Sequence, residues 1–353
     1  YHKACTGIFS LTHLPGRIGD SQLPEVEIVD MKLRHTQGKH TMLSPQLEHA
    51  IDECLTKKQQ VILFLNRRGF STFIFCPACG FILRCRNCSI SLTYHHHTQS
   101  ASCHYCNWNQ KVSEVCPDCK KTYLEYAGTG TQKLESEISR LFPGAGIARM
   151  DTDSTSTKGS HEKILTDFRK REIDILIGTQ MVAKGHDYPN VTLVGILSVD
   201  SLLHFPDFRS SERTFNLITQ AAGRSGRGSL KGRVIIQTYS PGHYAIQSAL
   251  HHDFISFYHK DMEFRKKLLY PPFSQIIHMN FRGVHQQRVE KSAYRLQELL
   301  KAVQGADFSI LGPAPDDIIR VKNQYRWSLV CKNTAGETGF SKIAQVWRNF
   351  KPL

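Results

Sequence analysis

Apolar positions recur along this chain in two rhythms, and their alternation predicts the architecture. Ser44 is placed to cap a helix with Pro45 at its first position, and Leu47, Ile51, Cys54 and Leu55 follow at helical spacing. Val61–Leu65 is an unbroken apolar run ended by Asn66-Arg67-Arg68-Gly69, the pattern of a strand buried on both faces. The same alternation resumes further on. Thr131 is placed to cap a helix with Leu134, Ile138 and Leu141 on one face, closed by Pro143-Gly144, and Ile147–Met150 is a short strand. Ser160 opens another helix with Ile164, Leu165 and Phe168 inward. Ile173–Ile177 and Val191–Val199 read as strands, Ser210–Ala222 as a helix and Val234–Thr238 as a strand. Strands alternating with helices predict α/β architecture, a parallel sheet covered on both faces.

The pattern also sets expected boundaries. Residues 1–43 carry few periodic signals apart from Val26–Met31, which reads as a short strand, and are expected to be a lead-in segment. The α/β domain is expected over 44–75 and 120–240, interrupted by 76–119, with a helical connector over 241–270. Pro271-Pro272 marks the next boundary. Beyond it the order strand, helix, strand, strand, helix predicts a small α+β domain over 271–353, a ferredoxin-like arrangement without its last strand.

The interruption carries the strongest chemistry. Eight of the eleven cysteines form four C-x-x-C pairs, Cys76/Cys79, Cys85/Cys88, Cys103/Cys106 and Cys116/Cys119. Each pair can present two thiolates to one tetrahedral zinc, so four pairs make two closed sites. Joining the inner pairs gives C-x2-C-x14-C-x2-C, one residue short of the usual ribbon spacing of about 15–20. The outer pairs then close a second site around the first. Joining neighbours would leave five residues between the first two pairs, which is tight; nesting is favoured. Disulfides belong to small secreted domains, and a redox motif needs one such pair. A zinc-dependent hydrolase needs an open metal position, which eight cysteines in two sites do not leave. Cys5, Cys54 and Cys331 stand alone, as expected in a reducing cytoplasm.

Composition narrows the partner. The formal charge is +14. Two four-thiolate zinc sites, each carrying a net −2, would still leave +10, which points to a polyanion, nucleic acid first. No apolar run approaches the length of a membrane span, and the chain opens at Tyr1 as if in mid-sequence. Tyr94, His95, His96, His97, Tyr105 and Trp108 lie inside the cysteine segment, suited either to stacking on bases or to packing a small metal core.

Two further signatures follow in order. Gly178-Thr-Gln-Met-Val-Ala-Lys-Gly-His-Asp187 comes directly after a predicted strand, and Gln220-Ala-Ala-Gly-Arg224-Ser-Gly-Arg227-Gly closes a predicted helix. Arginines three apart at a helix end can face a common phosphate. Here the chain resembles the second, RecA-like lobe of superfamily-two helicases. With Val61–Phe70, the four cysteine pairs, Gly128-Thr-Gly-Thr-Gln, Asp207-Phe-Arg-Ser-Ser-Glu-Arg, Leu311-Gly-Pro-Ala-Pro and Tyr325-Arg-Trp, it is similar over nearly its whole length to the PriA family of replication-restart helicases.

That resemblance implies a RecA-like parallel-sheet helicase lobe, a two-zinc cysteine-rich module and a small α+β domain. It implies an ATP-dependent 3′-to-5′ DNA helicase acting on forked and single-stranded DNA to restart stalled forks. Primosome proteins, the replicative-helicase loading machinery and single-stranded-DNA-binding protein would be partners, in the bacterial cytoplasm at the nucleoid. It also implies nested zincs: Cys76, Cys79, Cys116 and Cys119 on one, Cys85, Cys88, Cys103 and Cys106 on the other. Arg224 and Arg227 would reach ATP phosphates, with Gln220, Gly185 and Asp187 beside the nucleotide. Thr179, Gln180 and Lys184, with Arg67 and Arg68, would hold the DNA backbone. The sequence has no G-x-x-x-x-G-K-[ST] loop, since Gly38-Lys39-His40 lacks its pattern, and no acidic box for Mg2+. The family carries both in a first lobe, so the chain is expected to be a C-terminal part that does not hydrolyse ATP by itself. The rival reading is a non-catalytic zinc-ribbon module that binds nucleic acid or a partner.

Overall fold

The computed structural model describes the chain except residues 14–22, 33–41, 66–73, 87–89, 96–99, 104–105, 107, 114, 121–123, 127–130, 151–159, 179–187, 198 and 227–230, and the side chains of 95, 125, 126, 132, 317 and 318. A six-stranded sheet forms its centre. The strands are β1 (Glu25–Asp30), β2 (Gln60–Leu65), β8 (Ile147–Met150), β9 (Ile175–Gly178), β10 (Val191–Leu197) and β11 (Arg233–Thr238), in spatial order β1-β11-β10-β2-β9-β8. Every pairing is parallel.

The apolar runs explain why this sheet has two cores. In β2, Ile62 and Phe64 point to one face while Val61, Leu63 and Leu65 point to the other, and all five are buried. The first face is covered by α4 (Ser160–Arg169), α6 (Ser210–Ala222), α7 (Tyr244–Leu250) and α8 (Phe254–Lys267), through Phe168, Phe215, Ile218, Ile246 and Phe257. The second is covered by α2 (Pro45–Thr56) and α3 (Thr131–Leu141), through Leu47, Ile51, Leu134 and Ile138. The α2 start follows its sequence signal: Pro45 is first, and the Ser44 hydroxyl accepts the Leu47 N–H at 3.2 Å. Gly195 in β10 lies where α2 crosses it, and a Cβ there would sit 2.7 Å from a Leu63 methyl and 3.0 Å from Leu47.

Two expected boundaries are corrected. Residues 25–30 are not lead-in but the edge strand of the sheet, paired with β11 from Glu25↔Arg233 to Asp30↔Thr238. Their signal is weak because an edge strand is only half covered and keeps Glu25, Glu27 and Asp30 in its sequence. The segment 241–270 is likewise not a separate connector. It forms two helices, broken where His252 adopts φ +52 and Asp253 caps α8 by accepting the Ser256 N–H at 2.9 Å, and both pack on the first core. The predicted strand end at Val199 also moves: β10 stops at Leu197, and Val199–Leu203 is a short helix, α5. At the other end of the chain, the N-terminal helix α1 (His2–Cys5) leans on α8 through the Tyr1–Tyr258 ring pair, centroids 4.8 Å apart.

The cysteine-rich segment enters through β3 (Ile74–Phe75) and leaves through β7 (Glu125–Tyr126), which pair antiparallel and close its base. Between them β4 (Thr93–His95), β5 (Ser100–Ser102) and β6 (Asn109–Lys111) form a three-stranded sheet. The last domain holds β12 (Gln275–Gly283), β13 (Phe308–Val321) and β14 (Gln324–Asn333) in order β12-β14-β13, all antiparallel, with α9 (Gln286–Val303) and α10 (Glu337–Asn349). This is the predicted split arrangement, with longer second and third strands than the apolar runs alone indicate. No described helix is long and apolar enough to cross a membrane.

Leu47 is fully buried between α2 and the sheet. Leu47→Ala should therefore cost about 2–5 kcal/mol in urea unfolding while leaving zinc content unchanged. A loss of zinc with it would show that the lobe and the module do not fold as separate cores.

Candidate metal centres and the arginine turn of the lobe

The cysteines assemble in nested order. The Sγ atoms of Cys76, Cys79, Cys116 and Cys119 all lie within 4.8 Å of one another, with Cys76 to Cys119 and Cys79 to Cys116 both 3.7 Å. Cys85, Cys103 and Cys106 gather in the same way, Cys85 to Cys106 being 3.5 Å; Cys88, their expected fourth member, lies outside the described residues. Four sulfurs held ~2.3 Å from one zinc stand about 3.8 Å apart, so these spacings fit tetrahedral zinc.

The backbone explains how the pairs face one metal. The Cys76, Cys85 and Cys103 N–H groups each donate to the carbonyl five residues on, Phe81, Ile90 and Trp108, at 2.8 Å. The outer site is built from two matching turns: Gly80 N–H donates to Cys76 O at 2.8 Å and Lys120 N–H to Cys116 O at 3.1 Å, both at positive φ. At Gly80, a Cβ would stand 2.5 Å from the Tyr239 carbonyl oxygen, so glycine serves both the turn and the close approach of the module to the lobe. Burial pushes the Cys79 thiol up to about 12, with neighbouring thiols adding to the shift. Without a cation this pocket disfavours the thiolate, so metal loading releases protons and weakens in acid.

The aromatic residues of the module divide. Tyr94 and Trp108 are half-buried against its core, and the Arg86 guanidinium lies 5.2 Å from the Trp108 ring centroid. Packing of the metal core therefore accounts for these two. His96, His97 and Tyr105 lie outside the described residues, as does the His95 side chain.

In the lobe, Gln220 is exposed in the last turn of α6, and Arg224 follows in the turn that ends the helix. That turn is pinned. Buried Ser225 donates its hydroxyl to Thr192 O at 3.1 Å, and Gly226 N–H, at φ +70, donates to Val191 O at 3.3 Å. A Cβ at Gly232 would fall 2.1 Å from the Ser225 hydroxyl, so glycine lets β11 begin against this turn. Arg224 is thus fixed at the amino ends of β10 and β11. It lies near Tyr188, whose hydroxyl pKa is raised by burial against the lowering influence of Arg169 and Arg224. The other signature begins at Gly178, at the carboxyl end of β9, so the two lie at opposite ends of the parallel strands. Tyr188 directly follows Asp187 in sequence, which links them. Thr179, Gln180, Lys184, Gly185, Asp187, Arg67, Arg68 and Arg227 lie outside the described residues; β2 and β9, which lead to two of these groups, pair as neighbours through Phe64↔Gly178.

The sequence reading misses a buried polar network at the carboxyl end of β11. Asp200 accepts Thr238 Oγ1 at 2.9 Å and the Tyr239 N–H at 3.1 Å, and His204 Nε2 meets Ser240 Oγ at 3.1 Å. Burial raises the Asp200 carboxyl to about 6 despite these donors, and holds His204 well below the usual histidine range, neutral. Only the Asp200-to-His204 spacing of four residues hints at this pair, and helix α5 was not expected there.

The parallel-sheet lobe ends a helix on a pinned glycine-arginine turn and is interrupted by two cysteine clusters, and the family models that match these parts give their class, a helicase C-terminal lobe with a Cys-rich insertion. Residues 105–229 match the helicase conserved C-terminal domain, 85–111 the PriA DNA helicase Cys-rich region, and 266–352 the primosomal protein N C-terminal domain. The chain belongs to the PriA family, as a C-terminal part. It is 44% identical over 332 residues to the replication restart protein PriA of Bacillus subtilis, covering 94% of this chain and 41% of that protein. Against PriA of Synechocystis the identity is 42% over 323 residues, covering 90% and 39%. Against PriA of Treponema pallidum it is 38% over 337 residues, covering 96% and 50%. The chain thus spans about two fifths to one half of these relatives.

Two measurements check the centres. The chain should carry two zincs by atomic emission, and the double change Cys79→Ser with Cys116→Ser should leave one; neighbour-wise pairing would leave none. Asp200→Asn keeps an acceptor and removes the titration. Since the folded carboxyl of Asp200 sits near 6, above its unfolded value, its protonated form favours folding. Wild-type stability should gain on that of Asp200→Asn as pH falls through 6 toward 4 and lose that gain as pH rises through 6; parallel pH profiles would show that burial does not raise Asp200.

Proposed function

We propose that this chain supplies the second motor lobe, the zinc module and the C-terminal domain of an ATP-dependent 3′-to-5′ DNA helicase that restarts stalled replication forks. What carries the reading is the pinned turn at Gly223–Gly226, which holds Arg224 at a lobe edge beside Tyr188, in a chain that also carries the family's Cys-rich insertion. ATP with Mg2+ supplies the driving free energy in a cleft shared with the family's first lobe. From this side, Arg224 and Arg227 neutralise charge developing on the γ-phosphoryl oxygens, the arginine-finger role. Gln220, Gly185 and Asp187 orient the nucleotide. Thr179, Gln180 and Lys184, with Arg67 and Arg68, grip DNA phosphates without reading sequence. The partners are forked and single-stranded DNA, primosome proteins, the replicative-helicase loading machinery and single-stranded-DNA-binding protein, in the bacterial cytoplasm at the nucleoid. The zincs are scaffold, their cysteines leaving no open position for a reacting group.

The sequence lacks a phosphate loop, so the 353-residue chain by itself should release no phosphate above a blank with single-stranded DNA present; DNA-stimulated release would refute the assignment. In the full-length protein, Arg227→Ala should lower the ATPase kcat by about 10³-fold or more, the scale of a lost arginine finger, with DNA affinity unchanged. An equal loss of DNA binding would move Arg227 to the DNA.

A further inference from the structure

The loop His204–Arg209, between α5 and α6, meets the zinc module, the lobe and Tyr270 at the threshold of the C-terminal domain, and no catalytic role explains it. At its start, the Ser91 hydroxyl of the zinc module donates to the His204 carbonyl, and the His204 imidazole meets Ser240 beyond β11. In its middle, Asp207 holds Arg209 at 2.9 Å and Arg213 at 3.0 Å, bracing the first turn of α6. Between these, the Phe208 ring lies flat on Tyr270, centroids 5.1 Å apart and planes 11° from parallel.

That stack is held by cations. Arg209 and Arg265 guanidinium groups lie 5.2 and 5.3 Å from the Phe208 centroid, and the Lys332 ammonium, on β14 of the C-terminal domain, lies 3.8 Å from that of Tyr270. Arg209 is held by Asp207 of the same loop, and the other two cations are anchored elsewhere. Lys332 donates to Leu268 O at 2.9 Å, and Arg265 pairs with Glu212 of α6 and Asp261 of α8, both at 2.7 Å. Phe208 and Tyr270 also pack into the zinc-module core, which Ile276 and Leu311 of the C-terminal domain join. One aromatic pair therefore ties lobe, module and C-terminal domain together. Helix α6 leads from it, 13 residues or roughly 20 Å, to Gln220 and the turn of Arg224.

We propose that Phe208 is a positioning residue for unwinding: stacked on Tyr270, it makes the zinc module and C-terminal domain follow α6, so that closure sensed at Arg224 moves the parts that handle DNA. This rests on the helicase reading above. Phe208 touches no substrate in this role; it sets where two modules stand relative to the helix that does.

The test uses the full-length protein, with zinc content measured alongside. Wild type must first show DNA-stimulated ATP hydrolysis and unwinding of a forked duplex; failure there refutes the helicase reading, not this one. Given that, Phe208→Ala should keep two zincs, with kcat and KM for ATP within about twofold, and lose about tenfold in base pairs opened per ATP, on the scale of a coupling residue. Phe208→Tyr, which keeps the stack, should restore coupling. If Phe208→Ala loses zinc, Phe208→Leu carries the same expectation, since it keeps apolar volume without a ring face. Unwinding that falls only in proportion to ATP hydrolysis, unwinding that does not change, or failure of Phe208→Tyr to rescue would each overturn the proposal.

Discussion

Parallel strands need their two faces covered, and that constraint organises the molecule. Backbone groups in β2, β9, β10 and β11 are satisfied within the sheet, and their side chains are divided between two cores. Nothing chemical can be placed on those faces. Function is pushed to the strand ends and to the turns that join strands to helices, which is where the arginine turn and the insertion are found. The sheet contributes stiffness: a turn pinned to β10 and β11 by Ser225 cannot drift relative to the strands that hold it.

The cysteine module meets the same need for a core differently. Its strands are two or three residues long and bury few apolar side chains, too few for a segment of this size to stand alone. Metal takes the place of that missing core. The repeated bond from a cysteine N–H to the carbonyl five residues on shows that the sites are specified by backbone as much as by thiols. The residues between can differ from turn to turn, as Pro77-Ala78 and Pro117-Asp118 do from their inner counterparts.

How much of this could be read from sequence varies with the source of the signal. The start of helix α2 was legible to the residue because capping is local: Ser44 and Pro45 act on neighbours. The central strands were legible because two-sided burial leaves mostly apolar runs, unbroken in Val61–Leu65. The nested sulfur pairing was favoured by spacing, since fourteen residues between the inner pairs suit a ribbon and five between the first two pairs are tight, and the sulfur clusters agree. Strand β1 is legible as a short strand at Val26–Met31 but not as part of the sheet, because its polar positions reflect an edge that solvent still reaches. The Asp200–His204 network and the Phe208–Tyr270 stack were not legible, because their members lie far apart in sequence and each side chain is unremarkable alone. Only folding brings Tyr270 to Phe208 and Lys332 to Tyr270.

The pairing of β3 with β7 has a consequence for chain statistics. Ile74 lies opposite Tyr126, so once this pair forms, the 51 residues between them cost the lobe no more than a short hairpin would. Strand β2 must find β9 and β10, whose residues come more than a hundred positions later. Closing the module first shortens that search. Elaboration inside the ribbon is then nearly invisible to the sheet around it, which makes this a position where a chain can lengthen without loosening.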